Sequence, residues 1–517
     1  MPENTHPSPG TSISLNPATG EELGRVPLNA VTDVHEIIPR MRKAQSAWAE
    51  LSFAQRGDHL RRMRQYLARE GQGLAELIAA ENGKTVTDAY IAEVTPAMLA
   101  CDYQIRHAAR VLRPRRLRGS HIFSFFFSHR VQRLPMGVVG IIAPWNYPLG
   151  IPMHEILMAL MAGNAVLFKG ASETLMVSQA IQRIMAAGDL PADLFVQVNL
   201  PGRQAGDAFL EAGIDKLFFT GSVPVGKTLM AKAAESLTPV SLELGGNDAM
   251  LVCKDADLDR AVAGAIWAGF CNTGQSCGGV ERLYVARPVY HEFMDKLNAR
   301  VLSLRAGNPA DWQNQIGVMT TEKQVALVQA HIQDALDRGA VISSQSQTDP
   351  DAVHVVPATV LTNVNHDMRV MREETFGPVL AVMPFDSAEE AIRAANDSDL
   401  GLTGSVWSRD RRYAKRLASQ LEAGVVLIND HLMSHGIPNL PWGGLKQSGV
   451  GRTHGELGLL EMTEARVIGI NHLPKSWVFW WLPFPRWLFT RWVGFMQLLA
   501  GTWKTRLRGF QRLFTGW

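Results

Sequence analysis

The strongest constraint on the fold is a series of short apolar runs that recur along the chain at intervals of about one helix. The first set begins at Val138 and reads VVGIIAP, NAVLFKG, DLFVQVNL, DKLFFTG and VSLELGG. A second set begins near residue 250 and reads AMLVCKD, RLYVA, PVLAVMPF, GLTGSVWS and GVVLIND. Apolar runs of strand length that are separated by helix-length segments are typical of parallel sheets buried on both faces. The pattern therefore predicts an α/β fold with two consecutive parallel-sheet domains.

Size and cysteine content limit the class of protein. The chain has 517 residues, enough for about three domains of ordinary size, and 46% of them are hydrophobic. Its four cysteines, Cys101, Cys253, Cys271 and Cys277, are too few for a disulfide framework in a chain of this length. The N-terminal stretch MPENTHPSPGTSISLNPATGEE lacks the apolar segment of a signal peptide. We therefore expect a cytoplasmic protein in a reducing compartment.

One short motif indicates a different class of function. Residues 221–228, GSVPVGKT, match the phosphate-loop pattern G-x-x-x-x-G-K-S/T and lie between an apolar run and a helical stretch. A phosphate loop binds its anion through successive backbone N–H groups. Pro224 lies in the middle of the match and has no N–H to donate. The motif by itself leaves a nucleotide hydrolase as an alternative that the rest of the chain must decide.

Three other segments place reactive or polar side chains beside glycine or proline. Cys277 follows a glycine-rich turn in CNTGQSCGG, where the backbone can approach a ligand closely, although an arbitrary cysteine is more often part of the core. Glu243 ends the apolar run of LELGGND, and such a carboxyl is either paired, a strand-end cap or a base with a raised pKa. Asn146 lies between two prolines in PWNYP, which suits a rigid amide donor or a plain turn. Their occurrence together at strand ends favours an active site.

These segments resemble the NAD(P)-dependent aldehyde dehydrogenase superfamily. The matching stretches, which follow the family's order over residues 12–470, are NPATGEELGRVP, APWNYP, GNAVLFKG, FFTGSVPVG, LELGGND, NTGQSC, EETFGPV and LPWGGLKQSGVGR. The resemblance implies a homodimer or homotetramer. The domains that it implies are a dinucleotide-binding domain at 1–118 and 138–246, a catalytic domain at 247–440, and oligomerisation segments at 119–137 and 453–473. The phosphate-loop match then becomes a coincidence, because in the family this turn and the following helix N-terminus face the dinucleotide pyrophosphate.

The resemblance assigns catalytic functions to three residues. Cys277 would attack the aldehyde, and the thiohemiacetal would become a thioester as hydride passes to NAD or NADP. The Asn146 side chain and the Cys277 backbone N–H would hold the oxyanion. Glu243 would activate the water that hydrolyses the thioester to a carboxylic acid. Relatives that pass the acyl group to coenzyme A generally lack this glutamate, so hydrolysis is favoured, and no metal is expected.

The resemblance also assigns the cofactor contacts. The residues expected to contact the cofactor are Trp145, Lys169, Ser172, Gly221, Ser222, Gly226, Glu374 and Phe376. Among them Lys169 is expected at the adenosine ribose, Ser222 at the pyrophosphate and Glu374 at the nicotinamide ribose. Family members commonly carry a glutamate three residues after the lysine, where this chain has Ser172. A serine does not repel a 2′-phosphate, so NADP is as credible a cofactor as NAD.

The substrate side is expected to be apolar. Tyr147 and Trp442 match aromatic positions of the family's pocket, while Trp267 and Phe270 are either pocket lining or helix core. The stretches NDHLMSHGIPNLPWGG and GRTHGELG resemble relatives that act on carotenoid-type and other long-chain aldehydes. We therefore expect the oxidation of an apolar aldehyde, with an NADP-using semialdehyde dehydrogenase as the alternative within the family. The consequence of Asn247, where the family commonly has lysine, stays open.

The C-terminal tail, residues 474–517, has an unusual composition. It holds seven of the chain's thirteen tryptophans, and residues 467–517 hold seven Lys or Arg and no acid. The rest of the chain then has 44 basic and 49 acidic residues. Tryptophan with basic residues suits the headgroup region of a membrane, and prolines and arginines interrupt every run that approaches spanning length. The tail is expected to bind a membrane surface peripherally, with packing against another subunit as the alternative.

A second basic and aromatic stretch, RPRRLRGSHIFSFFF at 113–127, overlaps the extended hairpin expected at 119–137. It suits a subunit interface, membrane contact or both. Outside the family, the alternatives are a phosphate-loop NTPase and a catalytically inactive membrane-binding scaffold. The set of Cys277, Asn146 and Glu243 argues against an inactive scaffold. No nucleic-acid partner is expected.

Overall fold

Two large, mostly parallel β-sheets organise the chain in the computed structural model, which describes residues 10–118, 126–473, 478 and 480–514. The strands are β1 Thr11–Leu15, β2 Glu22–Pro27, β3 Arg115–Leu117, β4 Phe127–Pro135, β5 Val138–Ile142, β6 Ala165–Lys169, β7 Phe195–Gln197, β8 Lys216–Thr220, β9 Val240–Glu243, β10 Asp248–Val252, β11 Val280–Ala286, β12 Arg305–Ala306, β13 Val341–Gln345, β14 Gln347–Thr348, β15 Thr359–Thr362, β16 Val379–Phe385, β17 Leu400–Gly401, β18 Thr403–Trp407, β19 Val425–Ile428, β20 Leu445–Lys446, β21 Gly449–Val450 and β22 Thr463–Asn471. The helices are α1 Val31–Ala49, α2 Phe53–Asn82, α3 Val86–Ala89, α4 Thr95–Leu112, α5 Gly150–Ala162, α6 Leu175–Ala187, α7 Gly202–Glu211, α8 Val223–Glu235, α9 Leu258–Phe270, α10 Arg287–Ser303, α11 Glu322–Asp337, α12 Ala388–Asn396, α13 Arg411–Ala418, α14 Gly455–Glu461, α15 Arg486–Ala500 and α16 Trp503–Phe514.

The first large sheet has six strands in the order β21, β9, β8, β5, β6 and β7. Neighbouring strands from β9 to β7 are parallel, whereas the short β21 is antiparallel to β9. Strands such as β5 and β6 are buried at every residue, because helices cover both faces of the sheet. The carboxyl ends of β5, β6, β8 and β9 therefore lie side by side, which is where open α/β sheets bind ligands.

The second large sheet has seven strands in the order β13, β15, β16, β11, β10, β18 and β19. All neighbours are parallel except β13, which is antiparallel to β15. Successive residues of β10 enter different apolar clusters: Met250 and Val252 pack in one, and Leu251 packs in the other. This alternation means that both faces of the sheet are covered. The predicted α/β class with two consecutive parallel sheets is confirmed.

The chain forms two compact units. The first unit extends to Arg113 and resumes over Arg133–Ala465, and it contains both large sheets. The predicted boundary between residues 246 and 247 falls between β9 and β10 of this unit. The assignment of a dinucleotide-binding domain to 1–118 and 138–246, and of a catalytic domain to 247–440, stays a prediction.

The second unit comprises Pro114–Gln132 and Arg466–Trp517. Strands β22, β4 and β3 pair in that order in a small sheet that is separate from the two large ones. Of the hairpin expected at 119–137, residues 119–125 lie outside the described residues, and β4 forms most of the rest. The segment expected at 453–473 contains α14 and β22.

The described part of the tail folds into the helix pair α15 and α16 of the second unit. A Cβ added to Gly509 would lie 2.5 Å from the Gly494 carbonyl oxygen, so two glycines permit a close crossing of the helices. Residues 474–477, 479 and 515–517, including the tryptophans Trp477 and Trp517, lie outside the described residues. Among the residues that are described, no helix has the length and apolar character needed to cross a bilayer.

Candidate active site

Cys277 lies in a tight loop between α9 and β11. The loop begins with a 3-10 turn in which Asn272 and Thr273 adopt positive φ angles of 53° and 56°. Gly274 follows with a φ of 71°, and a Cβ there would come within 2.2 Å of the Gly377 backbone, so only glycine fits this position. The loop leaves Cys277 half-buried, where it lines two separate cavities.

Asn146, in the loop between β5 and α5, contacts the loop that carries Cys277. Its Nδ2 donates a hydrogen bond of 3.1 Å to the Gln275 carbonyl oxygen. An amide NH₂ has two N–H donors, so one remains for a ligand. The Asn146 carbonyl oxygen accepts hydrogen bonds from Asn272 Nδ2 at 2.8 Å and from Lys84 Nζ at 2.7 Å. These contacts bring two of the three predicted catalytic residues, Cys277 and Asn146, to the same place.

The Lys84 ammonium that binds Asn146 is part of a fully buried ion pair. Lys84 Nζ lies 2.5 Å from Glu93 Oε1 and 4.1 Å from the centre of the Tyr147 ring. The other oxygen of Glu93 accepts hydrogen bonds from the backbone N–H groups of Leu149 (2.7 Å) and Gly150 (3.2 Å) at the start of α5. Sequence analysis missed this pair, because the stretch ENGKT has the composition of an exposed helix end. The ion pair thus holds both ends of the segment from Asn146 to the start of α5.

Glu243, the third predicted catalytic residue, ends β9 and is buried. Neither of its carboxyl oxygens has a hydrogen-bond partner among the described residues. It lines a small cavity together with Cys277, and this cavity has room for about one water molecule. Burial, followed by the neighbouring carboxyl of Glu155, raises the pKa of Glu243 well above its usual range. The geometry thus gives a carboxyl and a thiol access to one water site.

The pKa of the Cys277 thiol is also raised, first by burial and then by the carboxyls of Glu374, Asp248 and Glu243. Burial raises the pKa values of all three of these carboxyls as well. Desolvation remains the main barrier to ionisation of Cys277.

The residues expected to contact the cofactor lie largely at the carboxyl ends of the strands of the first sheet. Lys169 ends β6, is buried, and forms no ion pair with any described residue. Burial lowers the pKa of its ammonium group, an effect that the charge of Glu173 opposes. A buried ammonium is costly unless a polar group binds it, so this position suits a ligand rich in hydroxyl groups. Ser172 is half-buried beside it, while Glu173 is exposed.

A second group of the expected cofactor residues lies near the Cys277 loop. Glu374 Oε1 accepts a hydrogen bond of 3.1 Å from the Gly246 backbone N–H. Phe376 has a φ of 51° and meets the Trp145 ring edge to face, with 5.5 Å between ring centres. These side chains and the end of β6 lie at one end of the sheet, which is where open α/β sheets bind ligands.

Asn247, to which the sequence assigned no consequence, supports this second group. Its Nδ2 donates hydrogen bonds to Glu281 Oε2 at 2.8 Å and to the Glu373 carbonyl oxygen at 3.2 Å. Glu281 in turn accepts hydrogen bonds from the backbone N–H groups of Thr375 and Phe376. Asn247 therefore holds the backbone next to Glu374 in position.

The stretch that matches a phosphate loop has a different geometry. Ser222 is the N-cap of α8, which already begins at Val223, so most of the match is helix. Lys227 Nζ donates to Gln447 Oε1 at 2.7 Å, and the Thr228 hydroxyl donates to the Pro224 carbonyl oxygen at 3.1 Å. Neither side chain faces a phosphate cradle. Gly226 packs against the residue that follows β9, since a Cβ at Gly226 would lie 2.7 Å from a Leu244 methyl group.

The larger of the two cavities that meet at Cys277 is a channel with a mostly apolar lining. Its described lining is Ile91, Ala92, Thr95, Pro96, Leu99, Tyr147, Trp267, Cys271, Cys277, Leu432, Met433, His435, Gly436 and Trp442. Tyr147, Trp442 and Trp267 therefore line the channel, whereas Phe270 belongs to the core of the second sheet. The Tyr147 hydroxyl also hydrogen-bonds the Ser276 hydroxyl next to Cys277. His435 was not predicted, since a lone histidine in a loop carries no pattern.

Comparisons with known proteins agree with this geometry. The model of the aldehyde dehydrogenase family matches residues 5–468. 4,4′-Diapolycopene aldehyde oxidase from Methylomonas sp is 40% identical over 494 residues, which is 95% of this chain and 92% of that protein. A protein from Mycolicibacterium smegmatis, provisionally named a succinate-semialdehyde dehydrogenase using NADP(+), is 36% identical over 457 residues, 88% of each chain.

A solved structure has the same fold. The crystal structure of aldehyde dehydrogenase from Brucella melitensis biovar abortus 2308 is 33% identical and superposes with a TM-score of 0.85, covering 90% of this chain and 94% of that chain. Because the family match spans nearly the whole chain, the phosphate-loop NTPase and the inactive scaffold are set aside. This chain belongs to the aldehyde dehydrogenase family and is an NAD(P)-dependent aldehyde dehydrogenase.

Proposed function

We propose that this protein oxidises an apolar, long-chain aldehyde to the carboxylic acid through a covalent intermediate on Cys277. The observation that carries the proposal is the position of Cys277 at the junction of the apolar channel and the cavity that contains Glu243. An aldehyde in the channel and a water beside Glu243 would approach the same carbon. The channel would admit the aldehyde, and the small cavity would hold the water that hydrolyses the thioester.

In the proposed mechanism Cys277 Sγ bonds to the aldehyde carbon as the thiol gives its proton to water and the π bond of the carbonyl opens. The Asn146 side chain and the Cys277 backbone N–H stabilise the oxyanion that forms. When bound, NAD(P)⁺ supplies the acceptor for the hydride that leaves this carbon. Glu243 then removes a proton from water as the water oxygen attacks the resulting thioester. The C–S bond breaks, which releases the carboxylic acid and restores Cys277.

The proposed cofactor site uses the side chains at the end of the first sheet. Lys169 would bind the adenosine ribose, and Glu374 would bind the nicotinamide ribose with Phe376 and Trp145 packed nearby. The turn at Gly221-Ser222 would face the pyrophosphate through the start of α8. Ser172 would lie near the ribose 2′ position, where a half-buried serine accepts either a hydroxyl or a phosphate. This arrangement supports the use of both NAD and NADP.

The chemistry of the channel supports an apolar substrate. Its described lining contains no lysine or arginine, and the one imidazole, His435, has its pKa lowered to about 4 by burial. A neutral lining cannot pair with the carboxylate of a short semialdehyde. Apolar side chains along the channel instead favour a long hydrocarbon chain. The Methylomonas relative is named as an oxidase of 4,4′-diapolycopene aldehyde, and this name agrees with an apolar substrate.

We also propose that the second unit binds an anionic membrane surface. Trp503, Leu507, Phe510 and Phe514 are exposed and follow each other at helical spacing on α16. The basic residues of the described tail are Arg486, Arg491, Lys504, Arg506, Arg508 and Arg512. An exposed apolar stripe flanked by basic residues, with no acid among the described tail residues, is typical of helices that lie in a membrane interface. Such a location would supply apolar aldehydes at high local concentration.

The three-stranded sheet is our candidate for the contact between subunits in a homodimer or homotetramer. Val467, Ile468 and Ile470 of β22 are exposed apolar residues on this sheet. An exposed apolar strand favours association with another chain. The exposed edge strand β3 would extend the same interface.

The substrate is tested with a series of unbranched aldehydes, followed by NAD(P)H absorbance with each cofactor. We expect kcat/KM to rise by roughly fourfold per added CH₂ until the channel is filled, since burying one CH₂ contributes about 0.8 kcal/mol. Succinic semialdehyde is the matched control for butanal, because the two differ by a carboxylate at the same chain length. A preference for succinic semialdehyde would establish the semialdehyde alternative instead.

The catalytic assignments are tested with Cys277→Ala and Glu243→Gln. The first change should abolish oxidation. The second should leave a single burst of NAD(P)H and then slow turnover by about 10²–10⁴-fold, because the thioester forms but water is not activated. Cys253→Ala, a buried cysteine in the core of the second sheet, is the control and should retain activity. Normal turnover of Glu243→Gln would refute its assignment as the base.

The cofactor assignment is tested with Ser172→Glu, using Ser172→Gln as the neutral control of similar size. Two like charges 4 Å apart repel by about 1 kcal/mol in water and by more at a half-buried site, so KM for NADP should rise by about tenfold or more. KM for NAD should change little in either variant. An equal rise for both cofactors in Ser172→Glu would mean that this residue does not face the 2′ position.

Membrane binding is tested by co-sedimentation with anionic phospholipid vesicles at low salt. Trp503→Asp should release most of the protein, and high salt should weaken binding of the unaltered chain, since each basic residue contributes about 1 kcal/mol at an anionic surface. Trp312→Asp is the control, because Trp312 is 78% exposed in the first unit and Trp503 is 69% exposed. An unaltered chain that stays in solution and self-associates through Trp503 would establish subunit packing instead.

A further inference from the structure

The small cavity behind Cys277 contains a second carboxyl that the proposed mechanism does not use. Glu155 lies on α5, is buried, and lines this cavity together with Glu243. Its Oε1 lies 3.5 Å from the Thr220 hydroxyl, at the limit of a hydrogen bond, and its Oε2 has no partner among the described residues. Neither carboxyl oxygen of Glu243 has a hydrogen-bond partner among the described residues. Three unpartnered carboxyl oxygens therefore belong to residues that line a space with room for about one water molecule.

Unpartnered polar atoms at this depth require either a bound water or a shared proton. Leaving a buried polar group unsatisfied costs about 1–3 kcal/mol, and a charged one costs more. The cavity walls include the aliphatic side chains of Ile151 and Leu244, which offer no hydrogen bonds. One water between Glu155 and Glu243 would satisfy both carboxyls. The same water site lies against Cys277, where a thioester would form.

The charges around the cavity favour one proton shared by the two carboxyls. Burial raises the pKa of Glu155 to about 8. Burial and then Glu155 raise the pKa of Glu243; Glu461 acts in the same direction, and Arg452 opposes it. Two carboxylates in one low-dielectric cavity repel, so the pair loses its protons in two separate steps.

The other titratable groups at this cavity are neutral. His454 lines it, and its ring centre lies 3.8 Å from that of His154. Burial lowers the pKa values of both imidazoles well below the usual range, and it lowers the pKa of His435, which also lines the cavity, to about 4. These three histidines therefore add no positive charge near neutral pH. With the Cys277 thiol protonated, the carboxyl pair determines the ionisation of the cavity.

We propose that Glu155 is the proton-exchange partner of Glu243 during hydrolysis of the thioester. As the water oxygen bonds to the thioester carbon and the C–S bond breaks, Glu243 takes one proton from that water. After a new water has entered the cavity, the proton on Glu243 passes through that water to Glu155, which holds it until it reaches solvent. Glu243 is then a carboxylate again when the next thioester forms. This inference rests on the proposed assignment of Glu243 as the base.

The test compares Glu155→Gln, which keeps the side-chain size and removes the acid, with Glu155→Asp, which keeps the acid. Glu155→Gln should retain the burst of NAD(P)H, since thioester formation does not need Glu155. Its steady-state turnover should fall by roughly 10- to 100-fold, toward the lower end of the range for acid–base groups. Glu155→Asp should recover part of that loss.

The pH profile separates proton exchange from a purely electrostatic effect. Because Glu155 raises the pKa of Glu243, its removal should lower that pKa and move the acid limb of kcat to lower pH. Proton exchange further requires that kcat at the optimum falls. The proposal would be overturned if the acid limb of kcat shifted while kcat at the pH optimum stayed the same. It would also be overturned if the NAD(P)H burst and the steady-state turnover fell equally.

Glu81→Gln is the matched control, because Glu81 is another buried carboxyl with a raised pKa that lies outside this cavity. This change should leave the ratio of burst rate to steady-state rate unaltered.

If Glu155→Gln does not fold, a solvent-isotope measurement on the unaltered chain tests the proposal instead. The deacylation rate in H₂O–D₂O mixtures should depend on the deuterium fraction along a curve, which two transferred protons produce, and a straight line would overturn the proposal. Failure of the Glu243 assignment is distinguishable, since Glu243→Gln would then turn over normally.

Discussion

The buried ion pair of Lys84 and Glu93 is the interaction on which the site depends. An ammonium ion without access to water is stable only where a carboxylate and further acceptors surround it. The pair meets this condition by using the Asn146 carbonyl oxygen on one side and the N-terminal N–H groups of α5 on the other. Removal of either partner would leave an unpaired buried charge, at a cost of about 3–5 kcal/mol. The chemistry at Cys277 is therefore tied to the stability of the first unit.

The loop that carries Cys277 lies between the two cavities that the reaction needs. The channel side of Cys277 is apolar, and its described lining contains no lysine or arginine. Such a lining suits a hydrocarbon chain. The Glu243 side is a small cavity with room for about one water molecule, and it limits the number of waters near the thioester. Desolvation raises the pKa values of Glu243, Glu155 and Cys277 together. A single physical cause, burial, thus excludes bulk water and raises the pKa of Glu155 to about 8, where this carboxyl can exchange protons near neutral pH.

Much of the site could be predicted because its parts are local. Cys277, Glu243 and Asn146 stand in short segments with glycine or proline neighbours, and each segment ends a strand or enters a tight turn. Gly274 shows the limit of this reasoning: the sequence indicated a tight turn, but the reason for glycine is the Gly377 backbone, a hundred residues further along the chain. Trp267 and Phe270 show the same limit, since both belong to α9 and only packing sends one to the channel and the other to the core.

The amino-acid sequence by itself determined the α/β class, the two sheets and the family, because strand-length apolar runs and strand-end motifs are properties of neighbouring residues. Tertiary structure alone decided which distant groups meet. Lys84, paired with Glu93, contacts the Asn146 carbonyl oxygen across more than fifty residues, and Glu155 and Glu243 line one cavity although they belong to different elements. Asn247 acquires its function through Glu281 and the backbone near Phe376, contacts that no spacing in the chain encodes. Burial decides the ionisation of these groups, and burial depends on the packing of the whole first unit.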